Sequence, residues 1–502
     1  MASKIVETIK RARRVGTPLI AAASLDQWTL LSEIRAANNG KPLFRHDALG
    51  GLVALNDAGH AALVTIGSEG AIMDQTRQPA EMLLFAERLP GESCIVAMSF
   101  AGFLAHDQGP LVPAGVSRLR EPFKADGRCL LMLDRAFTLP ASIQGDVLLL
   151  TEDPPTQEEI GAILASTIEA AEEKWGPLPA LAEDAREQAV QAGLGLSAFA
   201  VETTYALSLF EDRGLDLDEV WDRKATTVNQ TRGLHFSRPK GPKFADVRGL
   251  RAVREFLGVL KPKVVVFWDE FEKSLEGTQA GTGSSTGADR VGVTLSEMEA
   301  HNAKGVILFG VPGGGKSLTA LATAAEVGAC LLTFDPGNTE ERWVGASQEN
   351  IRAAFQTIWS IGGSEGDVLF IATANTLHSV PSALRRRFRY GIWMVDLPTD
   401  GDRVELWNLY LTKQHLSLTL PRPLDTDWTG AEIATCCELA ASRHTDLLSA
   451  AKFVLPVAKS GAEQIREARD LAKGRFFDAN TGELYDPTKR ASVTGRAFSK
   501  EA

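Results

Sequence analysis

Long apolar runs are missing from this sequence. The longest, such as Val264 to Trp268 and Val147 to Leu150, have the length of strands and fall far short of the roughly 20 residues a membrane helix needs. No membrane-spanning role is expected. Cysteine is scarce: Cys94, Cys129, Cys330, Cys436 and Cys437 are odd in number and show no CxxC spacing, which argues against a disulfide framework and against a zinc or redox motif. The adjacent Cys436 and Cys437 have no nearby metal-binding partners and read as helix residues beside a core. The set as a whole reads as reduced thiols of a cytoplasmic protein. An excess of positive charge is also lacking. The net charge of −11 argues against a general polyanion binder, although a local basic pore stays open. Near the N-terminus, Lys4, Lys10, Arg11, Arg13 and Arg14 accompany Glu7 and no apolar core, so an exposed first helix fits better than a signal or transit peptide. Finally, the first half has no GxxxxGK[ST] element. Its one Gly-Lys pair, Gly40-Lys41, is followed by Pro42, so no phosphate site of that type is expected there.

What is present fits packed, water-soluble domains. With 44% hydrophobic and 23% charged residues over 502 positions, two or three folded units are expected. From Thr17 to Leu150, short apolar runs (Leu19 to Ala23, Ala62 to Ile66, Cys94 to Met98, Cys129 to Leu133, Asp146 to Leu150) alternate with helix-compatible stretches, which predicts an α/β sheet. Thr156 with Glu159 three positions on is a capping box that starts a helical region reaching about residue 224. Pro239, Lys240, Gly241, Pro242 and Lys243 give His235 to Val247 the content of a linker. The chain therefore divides into 1–234 (α/β plus helical), a linker at 235–247, an α/β core at 248–398, a helical lid at 399–473 and a tail at 474–502. Gly277 to Ala288, almost entirely Gly, Thr, Ser and Ala, reads as a flexible loop.

The strongest chemical signal is the strand-like run Val306 to Phe309 leading into Gly310, Val311, Pro312, Gly313, Gly314, Gly315, Lys316, Ser317 and Leu318, then an apolar-faced helix. Glycines let backbone N–H groups wrap phosphates, a lysine neutralises β and γ oxygens, a serine hydroxyl ligates Mg2+, and the helix N-terminus adds its dipole. A glycine-rich turn before an ordinary helix is the bland alternative. A second element is Val264 to Trp268 followed by Asp269 and Glu270, a buried strand ending in two acids. Asp269 would hold Mg2+ through water, and Glu270 would act as general base on an attacking water. The alternative is an acidic start to an exposed helix.

Together these elements resemble those of AAA+ ATPases, and the resemblance runs over roughly 243–473. It implies a P-loop parallel sheet with a C-terminal helical lid, bound ATP and Mg2+, and ATP hydrolysis. Ile371 to Asn375 resembles the sensor-1 strand, so Asn375 would position the lytic water. Ala383 to Phe388 resembles the arginine-finger region, with Arg387 the better candidate and Arg386 the second. That role implies a homo-oligomer, a hexamer in this family. Trp343 and Val344 resemble a pore loop that grips polypeptide; a buried Trp packing under the helix of Ile351, Phe355 and Ile358 competes with that reading. Thr429 to Glu432 resembles the capped start of the lid helix facing nucleotide. The first half resembles a degenerate AAA domain, a layout similar to AAA ATPases of cyanobacteria and plastids.

The order departs from the family. Asp269 and Glu270 come 47 and 46 residues before Lys316, whereas the family places these acids after the phosphate loop. A βα unit of an open parallel sheet begins and ends on one side, so a whole unit can be relocated with new connections there. The expectation is the family's strand order, 5-1-4-3-2, with permuted connectivity and with Asp269 beside Ser317. The expected function is remodelling or threading of a macromolecule, protein in preference to nucleic acid. A nucleic-acid motor and a non-hydrolysing, nucleotide-gated scaffold are the alternatives.

Overall fold

The computed structural model describes residues 4–104, 109–238, 241–275, 286–335, 346–362 and 367–488. Its contacts divide the chain into two units, 1–181 with 196–214, and 182–195 with 215–502.

The first unit is built on β1 (Leu19–Ala23), β2 (Leu43–Asp47), β3 (Gly51–Ala54), β4 (Cys94–Ala97), β5 (Cys129–Asp134) and β6 (Leu148–Thr151), in the order β3-β2-β4-β5-β1-β6. All neighbours are parallel except β2 and β3. Apolar residues run continuously along β1 and β5 because both faces are covered. Leu19, Ala21, Leu130 and Met132 enter one core, while Ile20, Ala22, Cys129, Leu131 and Leu133 enter the other. Each buried Leu, Val or Phe contributes about 1.5–3 kcal/mol. The predicted capping box is present: Thr156 Oγ1 accepts the Glu159 N–H at 3.3 Å and Glu159 Oε2 accepts the Thr156 N–H at 2.8 Å, starting the helix Gln157–Trp175. The short strands β7 (Leu209–Phe210) and β8 (Gly214–Leu215) form a ribbon.

The second unit carries β9 (Leu234–Ser237), β10 (Val264–Trp268), β11 (Lys304–Gly310), β12 (Cys330–Phe334), β13 (Val368–Ala374), β14 (Ile392–Val395) and β15 (Phe477–Asp478), in the order β15-β14-β11-β13-β10-β12-β9. Every pairing is parallel except β12 with β9. Side chains alternate again between two cores. Val264, Val266 and Trp268 face the helix Ala346–Gly362, and Val265 and Phe267 share the core of the helix Lys316–Val327. The helices Asp400–Lys413, Gly430–Arg443 and Leu447–Ala451 pack around Trp407, Trp428, Cys436 and Cys437, so both adjacent cysteines lie in an apolar core.

Two expectations about chain division differ from the packing. The stretch read as a linker at 235–247 begins inside β9, which forms a ladder with β12 at Phe236↔Leu332. Residues 215–234, read as part of the first domain, group with the second unit, because Val228 and Leu234 share a core with Phe236 and Leu332. The tail from 474 is structured to 488: β15 extends the sheet beside β14, and the buried Tyr485 donates its hydroxyl to Asp396 Oδ2 at 2.5 Å.

Numbering the five successive parallel strands of the first unit 1 to 5 (β1, β2, β4, β5, β6), the sheet reads 5-1-4-3-2. The same count in the second unit (β10 to β14) reads 5-2-4-1-3.

Candidate nucleotide site

The sheet of the second unit sets the site at the carboxyl ends of its strands, where open α/β sheets bind ligands. β11 runs into the loop Val311 to Gly315, and the helix Lys316–Val327 starts directly after it. Glycine is required at two points. Gly315 has φ 92°, in the left-handed region, and a Cβ on Gly313 (φ 75°) would lie 2.9 Å from Thr429 Oγ1. The loop is therefore a close-fitting cradle with room for backbone approach only. Lys316 is buried and turns its ammonium back into that cradle. Nζ donates to Gly310 O at 2.9 Å, Val311 O at 2.9 Å and Asn375 Oδ1 at 2.8 Å. Burial pushes its pKa down to about 8, against the opposing pull of the acids Glu272, Asp269 and Glu270. A phosphate oxygen would restore a full charge partner to this ammonium.

β10 lies between β13 and β12, and its end delivers the two acids to the same place. Asp269 Oδ1 accepts from Ser317 Oγ at 3.0 Å and from Thr373 Oγ1 at 2.5 Å. Glu270 sits at φ 42°, a left-handed conformation that is costly for a residue with a side chain. Its Oε1 accepts from Asn375 Nδ2 at 3.1 Å and its Oε2 from Lys273 Nζ at 2.5 Å. Lys316, Asn375 and Glu270 thus form one hydrogen-bonded chain. Beneath them lies Glu272, 2% exposed, whose Oε1 accepts the Asn375 N–H at 2.9 Å and whose carboxyl pKa is raised by burial.

Asp269, Glu270, Lys316, Ser317 and Asn375 line a cavity of about 350 Å³ together with Pro312, Gly313, Gly314, Gly315, Leu318 and Thr373. Sequence reasoning missed its other end. Asp246, Val247, Gly249 and Leu250 form one wall, and Asp402, Tyr410 and Asn480 line the cavity as well. The signal was the Gly249-Leu250 pair immediately before the helix Arg251–Val259, with Leu250 at φ 51°. Asn480 comes from the tail: its Nδ2 donates to Asp402 Oδ2 at 3.2 Å and its Oδ1 accepts the Arg251 N–H at 3.3 Å.

The donor set suits Mg2+. A serine hydroxyl and a carboxylate at one point offer only hard oxygen atoms, as that ion prefers. Among the described residues no cluster of three or more His, Cys, Asp or Glu could hold a metal ion. Two expected residues stand apart from the cavity: Arg386 is exposed, and Arg387 Nη2 pairs with Glu299 Oε2 at 2.7 Å. Trp343, Val344 and most of the Gly277 to Ala288 loop lie outside the described residues. No helix among the described residues is long and apolar enough to cross a membrane.

Two family models match. Residues 306–361 match the ATPase family associated with various cellular activities (AAA), and 158–231 match the second domain of SpoVK-like AAA ATPases. The chain is 22% identical over 454 residues to an uncharacterized AAA domain-containing protein, ycf46, of Guillardia theta, covering 79% of this chain and 82% of that protein. It is 25% identical over 215 residues to a spastin of Anopheles gambiae, covering 39% of this chain and 26% of that one. Over a shorter stretch of 52 residues it is 44% identical to the human outer mitochondrial transmembrane helix translocase, covering 10% of this chain and 14% of the other.

Proposed function

We propose that this chain, an AAA+ ATPase, binds ATP with Mg2+ in the cavity between the loop 310–317 and Asn375 and hydrolyses it to remodel or thread a protein partner. The observation that carries the reading is the 3.0 Å contact of Ser317 Oγ with Asp269 Oδ1, which brings the acid-ended strand to the phosphate loop. In this reading Lys316 and the N–H groups of Gly313, Gly314 and Gly315 hold the phosphates. Ser317 and Asp269 hold Mg2+, which supplies charge neutralisation at the β and γ oxygens. Glu270 takes a proton from the attacking water, and Asn375 orients that water while keeping Glu270 and Lys316 in register. Leu250 and Val247 would enclose the base.

Permuted connectivity is part of the proposal. If β10 is counted third instead of first, the order 5-2-4-1-3 becomes 5-1-4-3-2, the order the first unit displays with its strands in sequence. The AAA match supports this reading, since it begins at Val306 and stops at Ile361, the stretch from β11 to the end of the helix after β12 in which no block is displaced. The first unit is then a degenerate AAA domain: β1 is followed by Ser24, Leu25 and Asp26 in place of a phosphate loop, and the SpoVK-like match, 158–231, begins in the helix after its sheet and runs on into residues of the second unit. We take 248–398 as the ATPase core, its sheet extended by β9 and β15, and 399–473 as its lid.

Ring assembly follows from the family, and Arg387, or Arg386 beside it, would reach the nucleotide of a neighbouring subunit after release from Glu299. A protein client is favoured by acidic net charge and by the likeness to a translocase whose name denotes a polypeptide cargo. One observation favours a second reading, a nucleotide-gated scaffold: both oxygens of Glu270 are engaged, by Asn375 and Lys273. Steady-state ATPase of wild type and Lys316→Ala, with mass measured in ATP, tests the proposal. Turnover in an oligomeric wild type, lost with nucleotide binding in the variant, supports it; ATP binding without turnover favours the scaffold.

A further inference from the structure

We infer that Thr373 is a positioning residue that sets both acids of the site through one hydroxyl. The inference rests on the reading of the cavity as a Mg-ATP site. The ladder between β10 and β13 ends at Trp268↔Ala372, so backbone pairing no longer fixes Asp269 or Glu270. Thr373, 1% exposed at the next position of β13, takes over that task. Its Oγ1 donates to Asp269 Oδ1 at 2.5 Å and accepts the Glu270 N–H at 2.9 Å, and its carbonyl accepts the Phe271 N–H at 3.1 Å. Three successive residues are held by one. A hydroxyl can do this because it carries one donor and two acceptor sites.

The arrangement matters because Glu270 is in the left-handed region at φ 42°. Without the bond to Thr373 Oγ1 its N–H loses its partner and the residue is free to relax, carrying its carboxylate away from Asn375. Asp269 at the same time loses the donor that fixes which of its oxygens faces Ser317. The carboxylate beside the metal position and the proposed general base are therefore registered to each other by a single atom, a role that outer contacts around metal sites commonly fill.

Thr373→Val keeps shape and strand preference while deleting the hydroxyl, and Thr373→Ser keeps the hydroxyl. The full chain and both variants are compared in three measurements: kcat and KM for ATP, affinity for a fluorescent ADP with Mg2+ and with EDTA, and thermal unfolding. In Thr373→Val, kcat is expected to fall about 10- to 100-fold, with the Mg2+ enhancement of ADP affinity reduced by a similar factor. Affinity in EDTA should stay within about twofold of wild type, and Thr373→Ser should recover most of both losses. Wild-type kcat and Mg2+ enhancement in Thr373→Val overturn the inference. So do equal losses of affinity with and without Mg2+, which mark a general lesion, and failure of Thr373→Ser to recover. If the wild type binds Mg-ADP but never turns over, the hydrolysis reading falls alone and the Mg2+ enhancement still decides the role of Thr373. If Mg2+ does not strengthen ADP binding even in wild type, both fall.

Discussion

Ser317 and Asp269, 48 residues apart in the chain, meet at 3.0 Å between side-chain oxygens. One stands at the start of the helix that follows the glycine loop, the other at the end of a strand encoded before it. Because Asp269 is also fixed by Thr373, the pair is a built feature of the sheet edge. The expected consequence is a coupled loss. Asp269→Asn should weaken Mg2+-dependent nucleotide binding about 10- to 100-fold while leaving binding in EDTA near wild type, as read by titration of a fluorescent nucleotide. Equal affinity with and without Mg2+ in the wild type would contradict this.

Lys273 holds one oxygen of Glu270, and it is itself 63% exposed at the side chain. Removing that partner frees the oxygen for water. Lys273→Ala is therefore expected to leave nucleotide affinity unchanged and to raise kcat by about two- to fivefold, on the order of 0.5–1 kcal/mol for an exposed ion pair. A drop in kcat would assign Lys273 a supporting role.

Lys224 is buried, with Nζ donating to Gln191 O at 3.2 Å and lying over the rings of Trp221 and Phe236. Burial lowers its pKa below the ordinary lysine value. Between the folded and unfolded pKa values the unfolded chain binds more protons, so wild-type stability rises with pH across that window. Below it the cost of the buried charge is present in full. Lys224→Met should therefore be more stable than wild type at neutral pH by about 1 kcal/mol or more, and the gap should narrow as pH climbs toward 10.5. Denaturant unfolding at pH 7 and pH 10 checks both parts.

Tyr485 ties the tail to the core. Its hydroxyl and the Arg469 guanidinium share the buried carboxylate of Asp396, at the end of β14. Tyr485→Phe removes one donor from a buried acceptor and should lower stability by about 1–3 kcal/mol, measured by urea unfolding, without altering kcat when saturated with ATP. No change in stability would mean that β15 and the Asn480 contacts hold the tail without this bond.

The sequence was most legible where one residue type has one physical use. The glycine loop could be read directly, because close backbone approach leaves little choice of residue, and with it the places of Lys316 and Ser317 at the start of the following helix. The strand ending in Asp269 and Glu270 was legible by its five apolar residues, and the meeting of Asp269 with Ser317 by the topology of parallel sheets. The far wall of the cavity was not. Asp246 to Leu250 works through backbone conformation, Asn480 arrives from a segment read as a tail, and β9 is short enough to be mistaken for a linker. Thr373 was equally hidden. A threonine in a β-rich run looks like strand propensity until its hydroxyl is found between two acids.

The most direct test is steady-state hydrolysis and nucleotide binding of Glu270→Gln beside the wild type. The account predicts Mg2+-dependent turnover by the wild type, and in the variant a fall in kcat of about 10²-fold or more with ATP affinity kept within a few-fold. A Glu270→Gln protein that hydrolyses ATP at the wild-type rate would contradict it, because the acids delivered by β10 would then not act on the nucleotide held by the loop after β11.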